Sequence, residues 1–358
     1  MKTVLVTNIP YPYRVPVYDR IANLLGNDFV VLYSSATEPN RQWKIPSLHH
    51  AHRFLKKLYV RYSIEGFYHI NFDVLKHLAE LNPDVVILYG YGPTQQLAFL
   101  WCWLRKKRIV LFNEGWAITE QSLSKRQRAL KKFIVGKAHA FIGASKKAAQ
   151  LYGQYGAPQA RIFVSPMAIA NERFVPPPSV EKQFDVLFSG QFIDRKKPFF
   201  FADVVQNLAR TRPLHVLLLG DGPLRSTILQ RLSEAGVRYT APGFVQEDEL
   251  PSFFHRSKIL LFPTMEDTWG IVSNEAFASG IPVITTGNAG TAHDLVVHGE
   301  TGFVLDLNVD DWAKHASLLL EDEHLYAKLS NKALERVQAY NFDVAAQAII
   351  RACEKSLS

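Results

Sequence analysis

Short runs of β-branched and apolar residues alternate along this chain with segments whose apolar positions recur every three or four residues. The first runs predict strands over TVLVTNI (3–9), FVVLYSS (29–35), DVVILYG (84–90), RIVLFNE (108–114), AFIGAS (140–145) and IFVSPMA (162–168). Helical spacing lies between them at 15–26, 74–82, 94–107, 125–138 and 146–156. NERFVPPPSVEKQ (171–183), rich in proline and charge, reads as a linker. The alternation then restarts, with strands at 185–191, 215–222, 237–243, 259–264, 282–287 and 302–306 and helices at 197–210, 224–236, 247–257, 271–280 and 290–299. The tail is helical over 309–340 and 341–356.

Such alternation is the pattern of βα units wound on a parallel sheet, so the expected class is α/β with two Rossmann-like domains. Open sheets of this kind hold ligands beyond the carboxyl ends of their strands, which makes a cleft between the halves the expected site.

Composition narrows the partners. The 358 residues exceed one small core, and 47% hydrophobic with 21% charged residues is ordinary for a folded protein. A net charge of +8 favours anionic partners: nucleic acid, phosphorylated molecules or an acidic membrane. Cys102 and Cys353 are far apart in apolar helical contexts, which argues against a disulfide scaffold or a cysteine metal site and suits the cytoplasm. The opening MKTVLVTNIP has too short an apolar run for a signal peptide, and QLAFLWCWL falls well short of the ~20 residues of a membrane span.

Several turns carry candidate chemistry. FSGQFIDRKKP sets Ser189 and Gly190 at a strand end before Arg195, Lys196 and Lys197, a combination suited to a diphosphate and equally to a solvated basic turn. LLLGDGPLRSTI repeats the strand–turn–helix theme, yet neither the G-x-G-x-x-G fingerprint nor a P-loop is present. APGFV is a strand end and a turn. MEDTWGIVSNEAFASG is more specific: Gly270, Ile271 and Val272 fall at a helix start, where unpaired N–H groups attract phosphate. Glu275 in the next turn suits two ribose hydroxyls, or simply the helix dipole; Asp267 suits a ligand, or a cap.

PTMEDTWGIVSNEAFASGIPVITTGNAGTAHDLVVHGETGFVL resembles the donor-binding signature of retaining GT-B glycosyltransferases of family 4, the group 1 type. GQFIDRKKP, GDGP and PGFV resemble further segments of that family in the same order, and TNIPYPYRVPVYDRIA with AFIGASKKAAQLYGQYGAPQARIFVSPMAI extends the likeness through the first half. The resemblance implies an N-terminal acceptor domain over 1–170, a nucleotide-sugar donor domain over 171–340, and a C-terminal helix near 341–358 returning to the first domain. It implies that Arg195 and Lys196 hold the diphosphate and stabilise the leaving group, with Gly190 beside them. Glu275 would bind the ribose, Gly270, Ile271 and Val272 the phosphates, and Gly243, Phe244 and Val245 would flank the base. Asp267 and Trp269 would lie near the donor sugar.

The chain departs from the family pattern at four places. Asp267 stands where the family has Glu, with Glu266 beside it, and Gln191 stands where many members carry Arg. NIPYPYR replaces a Gly-rich loop, so Tyr13 and Arg14 become acceptor-side candidates, Arg14 supplying charge. Glu114 occupies a region where some members have His. No metal and no cofactor is expected, since Arg195 and Lys196 take the ion's place.

Two basic stretches, HRFLKKLYVRYSIEGFYHI and SKRQRALKKFIVGKAH, fit peripheral contact with an anionic membrane at its cytoplasmic face, or ordinary solvated helix faces. The acceptor would be a cell-envelope glycan, a lipid-linked sugar or a small glycoside. The alternative function is a non-catalytic protein of this fold that binds nucleotide sugar or nucleic acid, although no nucleic-acid motif is present.

Overall fold

Runs of valine, isoleucine and leucine bounded by turns build the first parallel sheet, because strands covered on both faces need apolar side chains on both. The computed structural model describes residues 1–39, 41, 43–61 and 66–358. The chain opens with β1 (Thr3–Thr7), α1 (Val15–Leu25) and β2 (Phe29–Tyr33), then adds β3 (Ala51–Phe54) and the antiparallel pair β4 (Tyr59–Arg61) and β5 (Phe67–His69). There follow α2 (Val74–Leu81), β6 (Val85–Tyr89), α3 (Pro93–Leu104), β7 (Arg108–Asn113), α4 (Lys125–Lys137), β8 (Ala140–Gly143), α5 (Lys146–Gln154) and β9 (Ile162–Val164). The sheet order is β3-β2-β1-β6-β7-β8-β9, parallel throughout, and it reverses direction between β1 and β6. Leu78, Phe99, Ile134 and Tyr152, from α2 to α5, pack on one face against Val4, Val86 and Leu111.

The second unit repeats the plan. β10 (Phe184–Ser189), α6 (Pro198–Ala209), β11 (His215–Leu219), α7 (Arg225–Glu234), β12 (Arg238–Gly243), α8 (Leu250–His255), β13 (Ser257–Phe262), α9 (Val272–Ala278), β14 (Val283–Thr285) and β15 (Gly302–Val304) form the sheet β12-β11-β10-β13-β14-β15, also parallel. α10 (Val309–Glu321) and α11 (Glu323–Val337) follow; Asp322 separates them, its carboxylate accepting from the Leu325 N–H at 2.9 Å as the cap of α11. The last helix, α12 (Phe342–Leu357), lies on β7 and β8 beside α1. One unit therefore comprises residues 1–168 with 342–358, the other 169–341.

Three sequence expectations are corrected. β3, β4 and β5 are strands that the sequence pattern does not predict: β3 and β4 are mostly exposed, so no buried periodicity marks them, and residues 62–65 lie outside the described set. The helix expected over 290–299 is instead a series of turns and bridges. Gly290 there lies against the Thr268 carbonyl, where a Cβ would come within 2.0 Å, and His293 is left-handed at φ 63°, which ends any helix. The Pro-rich linker belongs in part to the second unit: Asn171 donates to the Val337 carbonyl at 3.1 Å, and Phe174 is buried edge-on against Phe254.

Candidate functional site

In the second sheet the strand order reverses between β10 and β13, so their carboxyl ends diverge and leave room for a ligand. Three glycine turns stack there. Gly190 N–H donates to the Leu219 carbonyl at 3.0 Å, and Gly220 N–H to Gly243 at 2.8 Å. Gly220 approaches the Gly190 carbonyl so closely that a Cβ would come within 2.0 Å of its oxygen, and its φ is +117°; only glycine meets both conditions.

The turn after β10 is tied to the loop after β13. Arg195 donates from Nη1 to the Glu266 carbonyl at 2.8 Å, and its own carbonyl accepts from Met265 N–H at 2.8 Å and Thr264 Oγ1 at 3.2 Å. Lys196 Nζ forms an ion pair with Asp267 Oδ2 and lies 4.9 Å from the centre of the Phe262 ring. Asp267 Oδ1 accepts from the Trp269 N–H at 3.1 Å. Burial pushes the Asp267 carboxyl up, but the Lys196 charge and hydrogen bond, with Arg195 behind them, outweigh it and hold the group below its ordinary value. Lys196 thus chooses Asp267 and not the neighbouring Glu266, whose part is played by its backbone carbonyl.

Beyond Asp267 the chain turns at Gly270, φ +99°, where a Cβ would come within 2.4 Å of the Phe262 ring. Among the described residues, the N–H groups of Gly270, Ile271 and Val272 donate to no protein acceptor. Glu275 is 9% exposed and its carboxyl likewise has no protein partner among the described residues. Burial, with the Glu247 charge as a lesser contributor, pushes it up to about 8. An acceptor left unpaired at the edge of a buried site is a group waiting for donors.

Phe244, just after β12, is exposed, while Val245 is buried. Trp269 is different from expectation: its ring is 2% exposed, its indole N–H donates to Asn274 Oδ1 at 2.7 Å, and it lies 5.6 Å from the Tyr340 ring. It fixes the 267–272 loop from behind and offers no side-chain surface to a ligand.

The candidates of the first unit gather at the carboxyl ends of β1, β6 and β7. Arg14 is fully buried, donating to Tyr89 Oη at 3.1 Å, Glu114 Oε1 at 3.5 Å and Met167 Sδ at 2.8 Å, with its guanidinium 4.8 Å from the centre of the Phe112 ring. Tyr89 also donates to Glu114. Arg14 therefore cannot supply an accessible charge as the sequence suggested; its Nε and Nη2 are held by Tyr89, Met167 and Glu114, and Nη1 is buried without a hydrogen-bond partner among the described residues. Tyr13 stacks on Tyr11 at 5.4 Å. Tyr89 and Met167 are members of the cluster that the sequence did not single out, although Tyr89 does close a strand beside β1.

Residues 170–336 match the family model described as glycosyl transferases group 1. The match lies within the second unit, residues 169–341. The chain is 26% identical to a D-inositol 3-phosphate glycosyltransferase of Pseudarthrobacter chlorophenolicus, over 66% of this chain and 59% of that protein. It is 30% identical to the N-acetyl-alpha-D-glucosaminyl L-malate synthase of Bacillus anthracis, over 38% of this chain and 36% of that one. The chain thus spans less than two thirds of the length of these relatives. Among solved structures, Anabaena Alr3699/HepE in complex with UDP superposes with a TM-score of 0.79 at 14% identity, over 99% of this chain and 100% of that one. WaaG, a glycosyltransferase involved in lipopolysaccharide biosynthesis, superposes at 0.69 and 17% identity over 98% of each. The fold is that of the GT-B glycosyltransferases, two Rossmann-like units of parallel sheet.

Proposed function

We propose that this protein is a retaining glycosyltransferase that moves a sugar, a hexose or a relative, from a nucleoside diphosphate sugar to an acceptor hydroxyl. The observation that carries the proposal is the convergence at one switch point of Arg195, Lys196, Asp267, three free backbone N–H groups and the unpaired carboxyl of Glu275. Each suits one part of such a donor. Two ribose hydroxyls would satisfy Glu275, the free N–H groups and both cations would hold the diphosphate, and Gly243 with Phe244 would flank the base. The related Anabaena protein was solved with UDP and with UDP-glucose, which supports a donor of this class.

In the proposed reaction the bond from the anomeric carbon to the β-phosphate oxygen breaks, and the electron pair leaves with the phosphate. The acceptor oxygen bonds the same carbon from the same face, and its proton passes to the departing phosphate. Charge builds on that phosphate in the transition state, where preplaced cations stabilise it more than water does. Asp267 holds Lys196 in place and faces the sugar. The reaction is proposed to be metal-independent, with Arg195 and Lys196 in the place of an ion. The acceptor is proposed to be a cell-envelope glycan, a lipid-linked sugar or a small glycoside, bound near Tyr13 and Glu114, with the protein at the cytoplasmic face of the membrane. No helix among the described residues is long and apolar enough to cross a membrane.

The double variant Arg195→Ala with Lys196→Ala tests the assignment. Turnover of a nucleotide-sugar donor is expected to fall by about 100-fold or more while nucleoside binding persists. Near-normal turnover would overturn the role of the pair. Binding of nucleotide sugar by the wild type without transfer or hydrolysis would favour a non-catalytic binder.

A further inference from the structure

We propose that the outer face of α3 and α4 in the first unit is a docking surface for an anionic lipid bilayer. This extends the membrane side of the proposed function to one face, and its test is read by vesicle binding, so the two can fail separately.

The two helices lie side by side on the sheet, joined where Phe133 meets Trp103 edge-on at 5.8 Å and Phe99 at 6.1 Å. Outward from that seam Leu100, Trp103, Leu104, Leu130 and Phe133 are between 42% and 68% exposed. Large apolar side chains gathered on one face mark an interaction surface rather than chance exposure. Exposed cations border them: Arg105 and Lys106 at the end of α3, and Lys125, Arg126 and Lys132 along α4. Lys137 Nζ lies 5.9 Å from the centre of the Phe133 ring.

Charge decides the partner. From Val85 to Asn171 the chain carries thirteen Lys and Arg and only two acids, Glu114 and Glu120. Both acids are engaged inside: Glu114 with Arg14 and Tyr89, and Glu120 with Lys131 at 2.6 Å and with Tyr155. A merely solvated helix face interleaves both signs as pairs one turn apart, and α3 and α4 have no acid to pair. The whole unit shares this bias. It carries 25 Lys and Arg against 11 Asp and Glu, whereas the second unit has 16 against 22, so the net charges are +14 and −6.

An apolar strip within a basic rim is what lies in the interface of an anionic membrane, the side chains entering among the acyl chains while the cations meet headgroup phosphates. Nucleic acid would meet the cations but has no place for Leu100, Leu104 and Leu130, since its surfaces favour stacked aromatics. A second copy applied to this face would bring two cationic rims together.

The full chain is sedimented with vesicles of phosphatidylcholine alone and with vesicles rich in phosphatidylglycerol. The wild type is expected to bind only the anionic vesicles, and less as salt is added. Arg126→Glu with Lys132→Glu is expected to weaken partition by about 10-fold or more, since each cation near the surface contributes substantially. Trp103→Ser with Leu104→Ser is expected to remove the part of binding that survives high salt. Both variants should keep the wild-type melting temperature, which shows that they fold. No binding to anionic vesicles at low salt would overturn the proposal. So would binding unchanged in both folded variants, or the same variants abolishing association with single-stranded nucleic acid while vesicles are ignored.

Discussion

Glu275 shows how one residue's environment can hold a testable function. Its carboxyl, ordinarily near 4.5, is pushed up to about 8 by burial and, to a lesser extent, by the Glu247 charge. A raised carboxyl favours the folded state most below its unfolded value, and that contribution is lost as pH rises through about 8. Glu275→Gln should therefore be more stable than the wild type at the alkaline end of this range, the difference in melting temperature shrinking toward its acid end. Ribose hydroxyls would restore the ionised form, so nucleoside diphosphate binding near neutrality should release up to about one proton per site. Calorimetry in buffers of different ionisation enthalpy reads this directly; a release that persists in Glu275→Gln would assign the proton elsewhere. Helical spacing alone puts Glu275 at a helix start. No local pattern pairs Lys196 with Asp267, because they are 71 residues apart and only adjacent strand ends bring them together.

Among the elements, α12 depends most on the fold around it. Its inward positions Ala345, Ala348, Ile349, Ala352 and Cys353 are small apart from Ile349, which lets the helix lie close on the sheet. Ser165 ties it down by donating to the Ala345 carbonyl at 3.0 Å, 180 residues away in sequence. Ile349→Ala should cost about 2–5 kcal/mol, the range for truncating a fully buried isoleucine, and chemical denaturation checks it. A cost near zero would mean that α12 is not part of the first core. Periodicity predicted this helix well, since a buried stripe repeats every three or four residues. It missed β3 and β4, whose exposed positions leave no such trace, and it overstated 290–299, where apolar residues are buried by turns held against Trp269 and not by a helix.

On the scale of the whole molecule, the chain crosses between units twice, at 168–169 and 341–342, and each unit has its own sheet and core. Thermal unfolding should therefore resolve two transitions. A nucleoside diphosphate should raise only that of the second unit, by about 2.7 kcal/mol when present at 100 times its dissociation constant. Scanning calorimetry with and without nucleotide measures this, and an equal rise in both transitions would count against a donor site confined to the second unit.

What the sequence determined by itself was local or additive. Apolar periodicity set most strands and helices, glycine and proline set the turns, and the spacing from Asp267 to Glu275 set a helix start carrying a carboxylate. Charge along the chain already made the segment around α3 and α4 basic. Only the tertiary structure decided which of these groups are available. It closed Arg14 and Trp269 within their cores, paired Asp267 with Lys196, left Glu275 without a donor among the described residues and turned the apolar side chains of α3 and α4 outward. The reason is physical: a hydrogen bond, a buried charge and an exposed ring are properties of neighbours in space, and those neighbours come from distant parts of the chain.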